Sequence, residues 1–134
     1  MSHYLDTHKG WKTIGDKSYH FKSGWETSYA QFLDWSIANG NVSNWEYEPY
    51  TFWFEGIKRG VVSYKPDFKV TLKNGNVEWH EVKGYFDRKS KTKLNRMRIY
   101  HPAVKLVVID GKWFNNKETK ILLNVIKQNY DQKI

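Results

Sequence analysis

Behind Ser23-Gly24-Trp25-Glu26, large apolar side chains return every three or four residues, at Trp25, Tyr29, Phe32, Leu33 and Ile37, and the run stops at Asn39-Gly40. That is the period of one helix face, and Ser-x-x-Glu is the pattern in which a serine oxygen caps a first turn. A helix is therefore predicted to start here. Residues 1–22 mix Gly, Lys, His and Thr with isolated aromatics and follow neither the helical nor the strand period. They are expected to form an irregular arm ahead of one domain over residues 23–134.

From Val42 to Phe54 the chain is aromatic and β-prone, with Pro49 making it a bent or edge strand. Glu55 to Gly60 reads as a basic loop. Ser63–Leu72 and Val77–Lys83 read as two strands joined around Asn74-Gly75, a pair that tolerates the positive backbone angles of a tight turn. Arg88–Tyr100 is predicted as a helix that stops before His101-Pro102, because the residue preceding proline disfavours helix. Lys105–Asp110, around Leu106-Val107-Val108-Ile109, has the continuous apolar character of a buried central strand. Glu118–Tyr130 closes the chain as an amphipathic helix carrying Ile121, Leu122, Val125 and Ile126. The order helix, three strands, helix, strand, helix predicts an α/β protein with a mixed sheet flanked by helices.

At 134 residues the chain can bury one ordinary core. Aromatic residues make up 17% of it, so rings must supply most of that core, and some remain free to stack on bases. Lys and Arg number 22 against 14 Asp and Glu, a net +8 whose field attracts polyanions, nucleic acid first among them. The chain has no Cys, which removes disulfides, thiolate zinc sites and a cysteine nucleophile. His80 and His101 stand in no zinc-binding spacing, and His80 should face away from Glu81 as a structural or surface residue. The amino end lacks the apolar stretch of a signal peptide, and nothing approaches the ~18 apolar residues of a membrane span. The expectation is a soluble, cytoplasmic protein.

Hard divalent cations prefer carboxylate oxygens, and phosphodiester hydrolysis needs such a cation to offset developing charge and supply an activated water. Glu81 and Lys83 lie two apart in a strand, so a carboxylate and an ammonium share one face. The hairpin register decides whether Asp67 joins them. A two-residue Asn74-Gly75 turn sets Asp67 opposite Val82 and sends Glu81 to the other face. A three-residue Lys73-Asn74-Gly75 loop, with Gly75 left-handed in a bulge, sets Asp67 directly across from Glu81, and this bulged loop is predicted. Glu26 falls on the helix side that carries Ala30, Leu33 and Ile37, pointing toward the body of the protein. Two readings of it stand at this level: completion of the capping box with Ser23, or a metal role.

Pro66-Asp67, then Glu81-Val82-Lys83, with a helical Glu26 ahead of them, resembles the PD-(D/E)XK nuclease signature. Ser63-Tyr64-Lys65-Pro66-Asp67-Phe68 and His80-Glu81-Val82-Lys83-Gly84 are similar to segments of small phage endonucleases and Holliday-junction resolvases of that superfamily. The likeness covers about residues 23–110 and implies a restriction-endonuclease-like core. It further implies that Asp67 and Glu81 bind Mg²⁺ or Mn²⁺, that the Val82 carbonyl is a further ligand, that Lys83 positions or activates water, and that Glu26 completes the metal site. Residues 1–22 and the last helix have no counterpart in it.

Arg88, Lys89, Lys91, Lys93, Arg96 and Arg98 crowd one predicted helix with no acid among them. They are expected along a DNA backbone, with Lys58, Arg59 and Lys65 as further contacts. Nothing resembles a base-reading module, so DNA shape or a junction is expected to be recognised rather than sequence. The favoured function is a structure-selective endonuclease for four-way or branched DNA, acting as a homodimer because two symmetric cuts need two centres. The alternatives are a nuclease of restriction, transposition or repair, and a non-catalytic DNA-binding module on the same fold.

Overall fold

The lead-in expected to be irregular is, over its described part, a β-hairpin. In the computed structural model, which describes residues 10–131, β1 (Gly10–Ile14) and β2 (Lys17–Phe21) pair antiparallel across a two-residue Gly15-Asp16 loop. Gly15 has φ 66°, and a glycine at the first loop position gives the turn a twist that matches the strands it joins. Ile14 and Phe21 are buried in the main core, so residues 10–21 belong to the fold and are not an arm. Residues 1–9 of the predicted arm lie outside the described residues.

α1 (Gly24–Ala38) starts where its pattern predicts, with Ser23 Oγ accepting the Glu26 N–H at 3.1 Å. The chain then runs through β3 (Val42–Tyr47), β4 (Phe52–Trp53), β5 (Ser63–Tyr64), β6 (Phe68–Leu72), β7 (Val77–Val82), α2 (Arg88–Tyr100), β8 (Leu106–Ile109), α3 (Gly111–Asn115) and α4 (Lys117–Asp131). The central sheet has the order β3-β6-β7-β8, antiparallel except for the last, parallel pair. A parallel neighbour requires a crossover, and α2 is that crossover. The protein is therefore a mixed α/β structure whose mixed sheet is flanked by helices.

Four expectations need correction. Val42–Phe54 is not one bent strand, because β4 leaves the central sheet to pair with β5. Ser63–Leu72 breaks at Lys65-Pro66-Asp67, where proline has no N–H to give a ladder. β8 is an edge strand of the sheet rather than a central one, and only its Ile109 is buried. The closing helix is preceded by the short α3, whose first turn is capped by the Asp110 carboxylate accepting the Lys112 N–H at 3.0 Å.

Two aromatic-rich cores hold these elements. Phe21, Tyr29, Leu33, Trp45, Phe68 and Val70 fill the larger one, between α1, the hairpin and the sheet. Phe52, Phe54, Tyr64, Trp79 and Met97 form the smaller one, which clamps α2 over β4, β5 and β7. Most rings are thus core material, although Trp11, Trp53 and Tyr85 stay largely exposed. No helix among the described residues is long and apolar enough to cross a membrane.

Candidate active site

The β6–β7 register is the predicted one. Phe68 pairs with His80, Lys69 with Trp79, Val70 with Glu78 and Thr71 with Val77, the alignment that puts Asp67 across from Glu81. The loop is three residues long: Gly75 N–H donates to Leu72 O at 2.9 Å, Leu72 N–H to Asn76 O at 2.8 Å, and Gly75 has φ 90°. Glycine takes that angle without the steric penalty other residues meet, so the sequence itself fixes which face the acids occupy.

Asp67 is held from three sides. Its carbonyl accepts the Glu48 N–H at 2.8 Å, its Oδ2 accepts the Val82 N–H at 2.8 Å, and Oδ1 lies 3.6 Å from Lys22 Nζ. Only 2% of the residue is exposed. Burial, followed by repulsion from Glu81 and Glu26, pushes its carboxyl up to about 8, against the opposing pull of the Val82 amide and Lys22. Glu81 is pushed up as well, chiefly by burial, although the Tyr64 hydroxyl donates to its Oε1 at 2.6 Å and Lys83 and Lys22 favour its anion. Acids crowded in a desolvated spot raise one another's pKa in the way that many functional centres use.

Of the two readings of Glu26, the structure removes the capping box. Ser23 caps the helix, but the Glu26 side chain does not return to the Ser23 N–H; its Oε1 accepts the Lys22 N–H at 2.9 Å and the Tyr47 hydroxyl at 2.7 Å. Its carboxylate is buried and acts on Asp67 through space. Ala30 and Leu33 share its buried side as predicted, whereas Ile37 is exposed.

Lys83 continues from β7, its N–H donating to Ile109 O at 3.0 Å. With Glu81 it lines a cleft of about 20 Å³, walled also by Tyr64, Phe86, Ser90 and Lys93, which is room for one water molecule. Just beyond Lys83 the backbone packs closely on α1, because a methyl group on Gly84 would come within 3.1 Å of Trp25 Cζ3, and Trp25 is stacked on Phe114. His80 turns away as expected: Tyr29 Oη lies 2.6 Å from its Nδ1 and Glu78 Oε1 2.9 Å from its Nε2, a structural role.

Of the predicted DNA contacts, Lys58, Arg59, Lys65, Arg88, Lys89, Lys91 and Arg98 are exposed. Lys93 leans over the Tyr64 ring with Nζ 6.0 Å from its centroid, beside the site itself. Arg96 is half-buried and has a structural partner as well: its guanidinium donates to the Val61 carbonyl and ties α2 to the β4–β5 loop.

Four residues of the site were not foreseen: Lys22, Tyr47, Glu48 and Tyr64. Tyr64 sits just ahead of the Lys65-Pro66-Asp67 turn, so a polar side chain beside a candidate acid was the one available signal. Glu48 gave none; it is a non-glycine residue at φ 47°, held there by the Asp67 backbone and by Lys22 Nζ at 2.7 Å. Such a conformation persists only where surroundings over-determine it.

Among the described residues, no three His, Cys, Asp or Glu side chains are gathered closely enough to hold an ion by themselves. The fit to a hard divalent cation rests instead on the Asp67–Glu81 pair, because Mg²⁺ commonly takes one or two protein carboxylates and fills its remaining positions with water and phosphate oxygens. All-oxygen donors, Asp67 buried and Glu81 half-buried, suit that cation in kind.

A mixed sheet with paired acids and a lysine on one face, crossed by a basic helix, defines a mixed α/β protein with a carboxylate centre. The chain belongs to the DUF1064 family, described as proteins of unknown function, whose profile matches residues 7–116. That span includes the β1–β2 hairpin and every acid of the site and ends before α4. No curated protein matches the chain.

Proposed function

We propose that the protein is a metal-dependent DNA endonuclease of the PD-(D/E)XK kind, with a restriction-endonuclease-like core. The observation that carries this reading is the bulged register, which faces Asp67 toward Glu81 with Lys83 two residues on. Asp67 and Glu81 would hold Mg²⁺ or Mn²⁺, with the Val82 carbonyl as a further ligand. When bound, the cation offsets charge on the phosphate and eases deprotonation of water. Tyr64 orients the Glu81 carboxylate through its hydroxyl. The Val82 amide aims Asp67, and Lys83, in the water-sized cleft beside Glu81, positions the nucleophile. Glu26 stands behind Asp67, held by Tyr47 and the Lys22 amide, and supplies negative field or an outer-sphere contact.

Substrate contact falls to the exposed cations of α2, with Lys93 nearest the centre and Lys58, Arg59 and Lys65 on adjacent loops. Backbone contacts of this type read shape, which favours branched DNA or four-way junctions and a homodimer that makes paired cuts. The test is cleavage of four-way junction, flap, linear duplex and single strand in Mg²⁺. Junctions should be cut preferentially, and equal cutting of plain duplex would remove the resolvase role. Glu81→Ala should lower cleavage by roughly a hundredfold to a thousandfold while DNA binding in Ca²⁺ changes little. Undiminished cleavage by that variant would place the active centre elsewhere.

A further inference from the structure

Lys22 joins β2 to α1, and both neighbours fix it. Phe21 before it is fully buried, and Ser23 after it caps the helix, so the Lys22 Cα has no freedom to leave the site. Its backbone N–H donates to Glu26 Oε1 at 2.9 Å. Its Nζ lies 2.7 Å from Glu48, 3.6 Å from Asp67 and 4.0 Å from Glu26, so one ammonium bridges acids from three separate segments of the chain. The side chain nevertheless remains 59% exposed, which lets the flexible four-carbon stem swing out without unpacking anything.

A monovalent cation this close to Asp67 and a divalent one on the same carboxylate repel each other strongly in a partly desolvated site. We propose that Lys22 is a tethered placeholder for the metal: its ammonium sits against the Glu48, Asp67 and Glu26 carboxyl groups in the metal-free protein, offsetting part of their charge, and is displaced when a divalent cation binds. The hairpin thereby sets the threshold for metal entry, and the released ammonium is left beside the phosphate that the metal attracts. This inference rests on the reading of Asp67 and Glu81 as metal-binding acids.

The experiment is a Mn²⁺ titration of the DNA-free full chain, followed by calorimetry and by the electron paramagnetic resonance of free Mn²⁺, in wild type, Lys22→Met, Lys22→Gln and Lys22→Arg. Loss of the charge should tighten Mn²⁺ binding about tenfold in both Lys22→Met and Lys22→Gln, since the metal no longer has to expel a competitor. Lys22→Arg should stay within about twofold of wild type. In EDTA the two neutral variants should melt below wild type, and Mn²⁺ should close that gap. Lys22→Gln keeps a donor for Glu48, so it remains informative if Lys22→Met folds poorly. Wild-type affinity, or weaker binding, in folded neutral variants overturns the placeholder role while leaving the metal reading in place. No Mn²⁺ binding by wild type or any variant overturns both.

Discussion

Two hairpins meet at the acids, and they reach them by opposite means. The β1–β2 hairpin turns through two residues, Gly15 and Asp16, keeps a regular register and ends on Phe21, a core anchor, with Lys22 directly behind it. The β6–β7 hairpin turns through three, with Gly75 at φ 90°, and the extra residue moves Glu81 onto the face of Asp67. One hairpin is positioned by what it buries, the other by how it turns. The placing of the acids therefore depends on backbone geometry in the second, and that of Lys22 on side-chain packing in the first.

The largest effect expected from this contrast is at Phe21. Replacing it with alanine removes a fully buried ring and should cost about 3–5 kcal/mol of unfolding free energy in urea. A change within about 0.5 kcal/mol would mean that the hairpin is an appendage, as its sequence first suggested. The turn glycines separate the hairpins further. Added methyl groups at Gly15 and Gly75 would touch nothing, so Gly→Ala at either position costs only backbone strain, about 1–2 kcal/mol. Cleavage should survive Gly15→Ala but fall in Gly75→Ala, where relief of strain competes with the register. Equal activity in the two variants would show that the bulge does not govern the site.

A smaller effect follows from the acids themselves. Folding raises the Asp67 carboxyl to about 8, so the protonated form is the one that the native state favours. The stability it lends in EDTA is fully present below the unfolded value near ~4 and is lost as pH rises through about 8. Thermal scans of metal-free protein from pH 5 to pH 9 should show that decline. Asp67→Asn, which still accepts the Val82 N–H, should flatten it and stabilise the protein at the alkaline end by ~1 kcal/mol. An unchanged slope in that variant would assign the decline to other groups.

Legibility in the sequence follows the same division. Asn74-Gly75 announced one hairpin, and the facing of Asp67 and Glu81 followed from counting residues through its loop. Gly15-Asp16 is also a two-residue turn signal, but the strands around it hide their inward positions: Trp11 is 70% exposed while Ile14 is buried. The apolar run at Leu106–Ile109 promised a strand and could not say that it lies at the sheet edge, because order in a sheet is set by contacts distant in the chain. Lys22 and Glu48 were illegible for the same reason. Their ion pair joins the end of one hairpin to the end of β3, and no periodicity links those positions. Arg96 shows the converse, a cation whose sequence company suggested DNA and gave no sign that it also holds the Val61 carbonyl.

The central claim is that the facing carboxylates of Asp67 and Glu81 share a divalent cation. Anomalous scattering from a crystal of the full chain soaked in Mn²⁺ measures this directly. The account predicts a peak within coordination distance of an oxygen from each residue, with Lys22 Nζ moved away from Asp67. An ordered site with no such peak at millimolar Mn²⁺, or a cation bound elsewhere with Lys22 undisturbed, would contradict it.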